Sequence, residues 1–70
     1  DGQSRLALAV AMYAKGEPEA VGMAERTLKL DRRLSDVEFL RENLWGEKLV
    51  ADAQKLLETP QIRALLSQLR

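Results

Sequence analysis

Residues 4–34 read SRLALAVAMYAKGEPEAVGMAERTLKLDRRL, and the punctuation of this stretch decides the fold. From Leu6 to Ala14 every position is apolar, a run of nine residues. A membrane-spanning helix needs about twice that length. Ser4 stands where a helix N-cap belongs, and Gly16 where a left-handed residue ends a helix running to about Lys15. Glu17-Pro18 then opens a second helix, because proline at the first helical position gives up only an N–H that has no intrahelical acceptor. Val21, Ala24 and Leu28 recur at spacings of three and four, which puts one apolar stripe opposite Glu25, Arg26 and Lys29 in a helix ending near Leu30. Two amphipathic helices joined by so short a turn pack as an antiparallel hairpin.

Working outward, the remainder divides in the same manner. Ser35 and Glu38 have the spacing of a capping box, and Leu34 and Phe39 stand at the positions of a hydrophobic staple, so a third helix is expected from Ser35. It is expected to carry Leu40 and Leu44 inward and to stop at Trp45-Gly46, with Gly46 supplying a positive φ. A fourth helix, about Glu47 to Glu58, carries Leu49, Val50, Ala53, Leu56 and Leu57. Thr59-Pro60 starts a fifth, lined by Ile62, Leu65, Leu66 and Leu69. A shift of 29 residues lays Ala20, Val21, Ala24, Thr27 and Leu28 on Leu49, Val50, Ala53, Leu56 and Leu57. Self-similarity of that period marks helical-hairpin repeats. The organisation expected is one all-α domain over 1–70: a hairpin over 4–34, a degenerate second hairpin over 35–59 and a C-terminal capping helix over 60–70.

Composition agrees with helix. Leu (13) and Ala (9) dominate the apolar residues, whereas Val, Ile and Thr total 7. The chain has neither Cys nor His, which removes disulfides and the commonest zinc sites. Eleven Lys and Arg balance eleven Asp and Glu, so no global field draws the chain to nucleic acid or an anionic membrane. Seventy residues bury only a thin core, and packing alone must hold it. The opening Asp1-Gly2, with no Met and no basic leader, reads as mature or excised from something longer, and the lack of Cys leans toward a reducing cytosol.

The residues Leu8-Ala9, Tyr13, Gly16, Ala20-Val21, Ala24 and Thr27-Leu28-Lys29-Leu30-Asp31 resemble one tetratricopeptide repeat (TPR). Ala9 matches the small position that lets the two helices approach, and Ala20 the small position facing it. Thr27 stands where the family prefers Ala, and Arg32 where it prefers Pro. The resemblance implies a right-handed superhelical array and a scaffold that binds partner proteins on a surface lined by the first helix of each hairpin. It also gives Ala9, Gly16, Ala20, Ala24 and Leu28 structural roles, and the capping and turn signals above give structural roles to Ser35, Gly46 and Pro60.

Function is therefore expected to be non-covalent. Candidate partner-binding residues are Arg5, Leu8, Met12 and Lys15 on the first helix, and Trp45 beside the second turn. The first helix is apolar nearly all round, which calls for a further contact: a partner protein or peptide, a second copy, or adjoining repeats of a longer chain. The alternative is a terminal cap that shields an array and binds nothing itself. A nucleic-acid module ranks third: Arg26, Lys29, Arg32 and Arg33 cluster at a helix C-terminus, where cations offset the helix dipole, and no stacking aromatics accompany them. No enzyme is expected. Ser and Thr hydroxyls are limited to Ser4, Thr27, Ser35, Thr59 and Ser67, no Gly-rich phosphate loop occurs, and Glu38 and Glu42 share a helix face without His. No catalytic, cofactor-binding or metal-binding residue is assigned.

Overall fold

The computed structural model describes residues 1–69; Arg70, the last residue of the expected 60–70 helix, lies outside them. Every regular element among the described residues is helical: α1 (Gly2–Ala14), α2 (Ala20–Leu30), a 3-10 turn (Arg32–Ser35), α3 (Val37–Glu42), α4 (Glu47–Leu57) and α5 (Pro60–Gln68). The first hairpin, α1 with α2, is the most extensively packed pair. α4 lies on α1 and α3, and α5 lies on α2 and α4.

Burial follows the apolar periodicity. Leu6, Ala9 and Val10 of α1 meet Ala24 and Leu28 of α2 in one cluster, joined by Leu34, Leu40, Ala53, Leu56, Leu57, Ile62 and Leu65. Ala20 and Val50 are buried as well. Every buried side-chain polar atom among the described residues has a hydrogen-bond partner. Thr27, the one buried polar residue among those described, donates its hydroxyl to the Met23 carbonyl at 2.9 Å, one helical turn back. That bond lets a hydroxyl occupy a position where Ala would otherwise be at home.

Helix starts differ from the sequence expectation in three places. Asp1, not Ser4, caps α1: its Oδ1 accepts the Ser4 N–H at 2.8 Å. Asp36, not Ser35, caps α3 by accepting the Glu38 N–H at 2.9 Å, while the Ser35 hydroxyl donates back to the Arg32 carbonyl. Both are cases in which a carboxylate within the same few residues displaces a serine as acceptor for orphan helix N–H groups. The third is α2, which begins at Ala20 instead of Glu17-Pro18. Glu17 is still used by the end of α1, giving its N–H to the Met12 carbonyl at 3.0 Å. Thr59 caps α5 and Pro60 stands in its first turn, as expected.

The two turns are built alike. After α1, Gly16 (φ 79°) donates to the Tyr13 carbonyl and Glu17 to that of Met12. After α3, Leu44 (φ 68°) donates to the Arg41 carbonyl and Trp45 to that of Leu40. Both are the paired bonds of a Schellman motif, whose C′ residue must be left-handed. At the second turn that residue is Leu44, not Gly46, because α3 stops two residues earlier than Gly46 would allow. Gly46 has φ −63° and opens α4 as its N-cap residue. Leu44 consequently points outward at 93% exposure, correcting its expected place in the core.

Candidate docking groove

The packing leaves one face of the first hairpin uncovered. Leu28 and Leu30 are two residues apart on α2, yet Leu28 is fully buried and Leu30 is 76% exposed. On α1, Leu6 is fully buried and Leu8 is 53% exposed. A two-residue step rotates a side chain by about 200° around a helix, so these pairs stand on opposite faces. The outward pair borders a groove of about 460 Å³ between α1 and α2, lined by Arg5, Leu8, Met23, Arg26, Thr27 and Leu30. Met23 is half-buried, with part of its side chain packed on the core cluster. The groove thus has an apolar floor and a cation from each helix, and no carboxylate lines it.

Two of the five residues expected at a partner surface, Arg5 and Leu8, are brought together there. Met12 is half-buried and Lys15 exposed farther along α1, and neither lines the groove. Trp45 is elsewhere. Its ring packs partly against the core, and Nε1 donates to Gln3 Oε1 at 3.3 Å. The Gln3 amide in turn donates to Asn43 Oδ1 at 3.2 Å, so this short network ties the start of α1 to the turn after α3. Around it Asp1, Gln3, Ser4, Ala7, Leu44, Trp45, Gly46 and Leu49 line a shallower, more polar depression.

Sequence reasoning missed the α2 side of the groove: Met23, Arg26, Thr27 and Leu30. Their spacing of i, i+3, i+4 and i+7 was the available signal, a second stripe beside the core stripe of Ala20, Ala24, Thr27 and Leu28. Arg26 reads as solvent-facing because a single apolar stripe satisfies an ordinary surface helix.

The cations near the end of α2 do not form one surface. Arg33 binds Asp31 through two nitrogens, at 3.0 Å and 2.8 Å, and its guanidinium lies 5.0 Å from the centre of the Phe39 ring. The hydrogen bond from Arg33 holds the Asp31 carboxyl below its ordinary pKa, and Asp31 raises that of Arg33. Arg32 donates to the Leu69 carbonyl at 2.7 Å, neutralising the C-terminal end of α5. Arg26 alone of the four lines the groove. The carboxylates are likewise dispersed: Glu38 pairs with Arg41, which also reaches Glu47 at 3.4 Å, and Asp52 pairs with Lys48 at 2.9 Å. No helix among the described residues is long and apolar enough to cross a membrane.

What this geometry can do is bury apolar surface against another molecule and orient it by charge. No family model, curated protein or solved structure matches the chain.

Proposed function

We propose that this chain is a protein–protein interaction module, built like the end of a TPR array, that docks a partner segment in the groove between α1 and α2. The observation that carries the reading is the exposure of Leu8 and Leu30 in one groove, two of the three exposed large hydrophobic residues among those described, the third being Leu44 at the second turn. Full burial of a leucine is worth about 1.5–3 kcal/mol, so two such residues left in water represent a large unused driving force for a small domain. The TPR-like arrangement, with its right-handed superhelical path, draws support from the complete burial of Ala9 and Ala20, the two small positions of the resemblance.

A second reading is the terminal cap. It is favoured by the contrast between the groove and α5, where Ile62 and Leu65 are buried while Gln61, Arg63, Ser67 and Gln68 face outward. A polar outer face is what a capping element needs. In that reading the groove is filled by adjoining repeats and takes no separate ligand.

The two readings separate in a nuclear magnetic resonance titration of the isolated chain with short amphipathic helical peptides. Docking is expected to shift the methyl resonances of Leu8, Met23 and Leu30 saturably, and Leu8→Ser with Leu30→Ser to remove the response while the chain stays helical. No methyl shift with any peptide supports the cap.

A further inference from the structure

Resting on the docking reading above, we infer that the groove's occupant is an acidic amphipathic helix, its apolar stripe on Leu8, Met23 and Leu30 and its carboxylates against Arg5 and Arg26. Charge complementarity is the first argument. Arg33, Arg41 and Lys48 all have carboxylate partners within the chain. Arg5 and Arg26 share the lack of a carboxylate partner with Lys15, Lys29, Arg32, Lys55 and Arg63 among the described residues, and of these only Arg5 and Arg26 border the apolar floor. A partner carrying Asp or Glu beside its apolar stripe satisfies both cations while excluding water from the leucines; a basic partner places like charges together at close range.

The second argument concerns backbone. Both walls of the groove are helices whose N–H and C=O groups are already paired internally, and no strand edge is present among the described residues. An extended peptide laid on this floor would bury amide groups with nothing to bond to, whereas a helix brings its own hydrogen bonds and offers ridges that fit between two helices. The third argument disfavours a second copy of the chain. Groove-to-groove pairing about a two-fold axis brings the Arg5 and Arg26 rims of both copies toward each other, and a chain of net charge zero has no field to offset that.

The test uses the 70-residue chain and three synthetic helices with Leu at i, i+3 and i+7: one flanked by Glu, one by Lys and one by Gln. Calorimetry at low salt is expected to show the Glu peptide binding at least about tenfold more tightly than the Lys peptide, with the advantage shrinking as salt rises. The double variant Arg5→Glu, Arg26→Glu, both sites being on exposed side chains, is expected to invert the order while circular dichroism stays unchanged. Equal binding of all three peptides, or an order that survives the double variant, overturns the acidic occupant and leaves the docking reading standing. Failure of every peptide to perturb the groove overturns both. Concentration-dependent dimerisation that covers Leu8 and Leu30 overturns the inference in favour of a second copy.

Discussion

The first hairpin and the second half of the chain use apolar residues differently. In α1 and α2 they occupy two faces: Leu6, Ala9, Val10, Ala24 and Leu28 face the core, while Leu8 and Leu30 face the groove. From Leu34 onward the large aliphatic residues described serve the core almost alone, with Leu44 the exception. A helix with one apolar stripe is complete once it has packed on its own domain; a hairpin with two stripes has a neighbour still to find. The difference between the halves is therefore the structural basis for placing function on the first.

The sharpest way to break this comparison is to truncate one leucine on each face. Leu28→Ala and, in the other half, Leu56→Ala are each expected to cost about 2–5 kcal/mol in denaturant unfolding, because both side chains are fully buried. Leu30→Ala, two residues from Leu28, is expected to stay within about 0.5 kcal/mol. A Leu30 variant as damaging as Leu28→Ala would mean that the hairpin has no open face.

The turns sharpen the contrast at a smaller scale. Both require a left-handed residue, and the first uses Gly16 where the second uses Leu44. Gly16→Ala is expected to cost about 1–2 kcal/mol, and Gly46→Ala less, since Gly46 has ordinary φ and open space where a Cβ would stand and loses only the preference for Gly over Ala at an N-cap. Leu44→Asn is expected to stabilise by up to about 1 kcal/mol, as Asn tolerates this conformation better than a branched aliphatic residue. Next come the caps. Asp36→Ala is expected to lose about 1 kcal/mol and Ser35→Ala clearly less, since only Asp36 accepts from an α3 N–H.

The smallest expected effect lies at the junction of the halves. Arg33 lowers the Asp31 carboxyl's pKa in the folded chain, so the pair adds stability above the unfolded value of about 3.9 and loses it as pH falls through the lower folded value. Asp31→Asn is expected to flatten the thermal midpoint's dependence on pH below about 4, an effect that salt reduces because Arg33 is largely exposed.

Much of the helical framework was legible residue by residue, and the misses share a cause. Gly16 and Thr59-Pro60 were read correctly because each acts through its own backbone geometry. Ser35 and Ser4 were misassigned because Asp36 and Asp1 offer a second cap acceptor close by, and Gly46 because the helix ends two residues earlier and leaves Leu44 in the left-handed position. In those cases a shift of one to three residues changes little locally and is settled by which side chains the core must receive. Trp45 donates its indole N–H to the side-chain amide oxygen of Gln3, 42 positions away, a partner that no local spacing points to. Of the groove, the α1 side was visible as Arg5 and Leu8, while the α2 side was masked by its charged neighbours.

Sequence alone determined that the chain is helical, where its principal breaks fall and which leucines a core would want, because helix propensity, capping and apolar period act over three or four residues. Only the tertiary structure decided that Leu44 takes the left-handed seat, that Arg32 and Arg33 are engaged at home while Arg5 and Arg26 are free of carboxylate partners among the described residues, and that Leu8 and Leu30 share one groove. Those outcomes depend on how α1 and α2 rotate about their own axes to pack on α4 and α5, and that rotation is set by the best fit of all the buried side chains together.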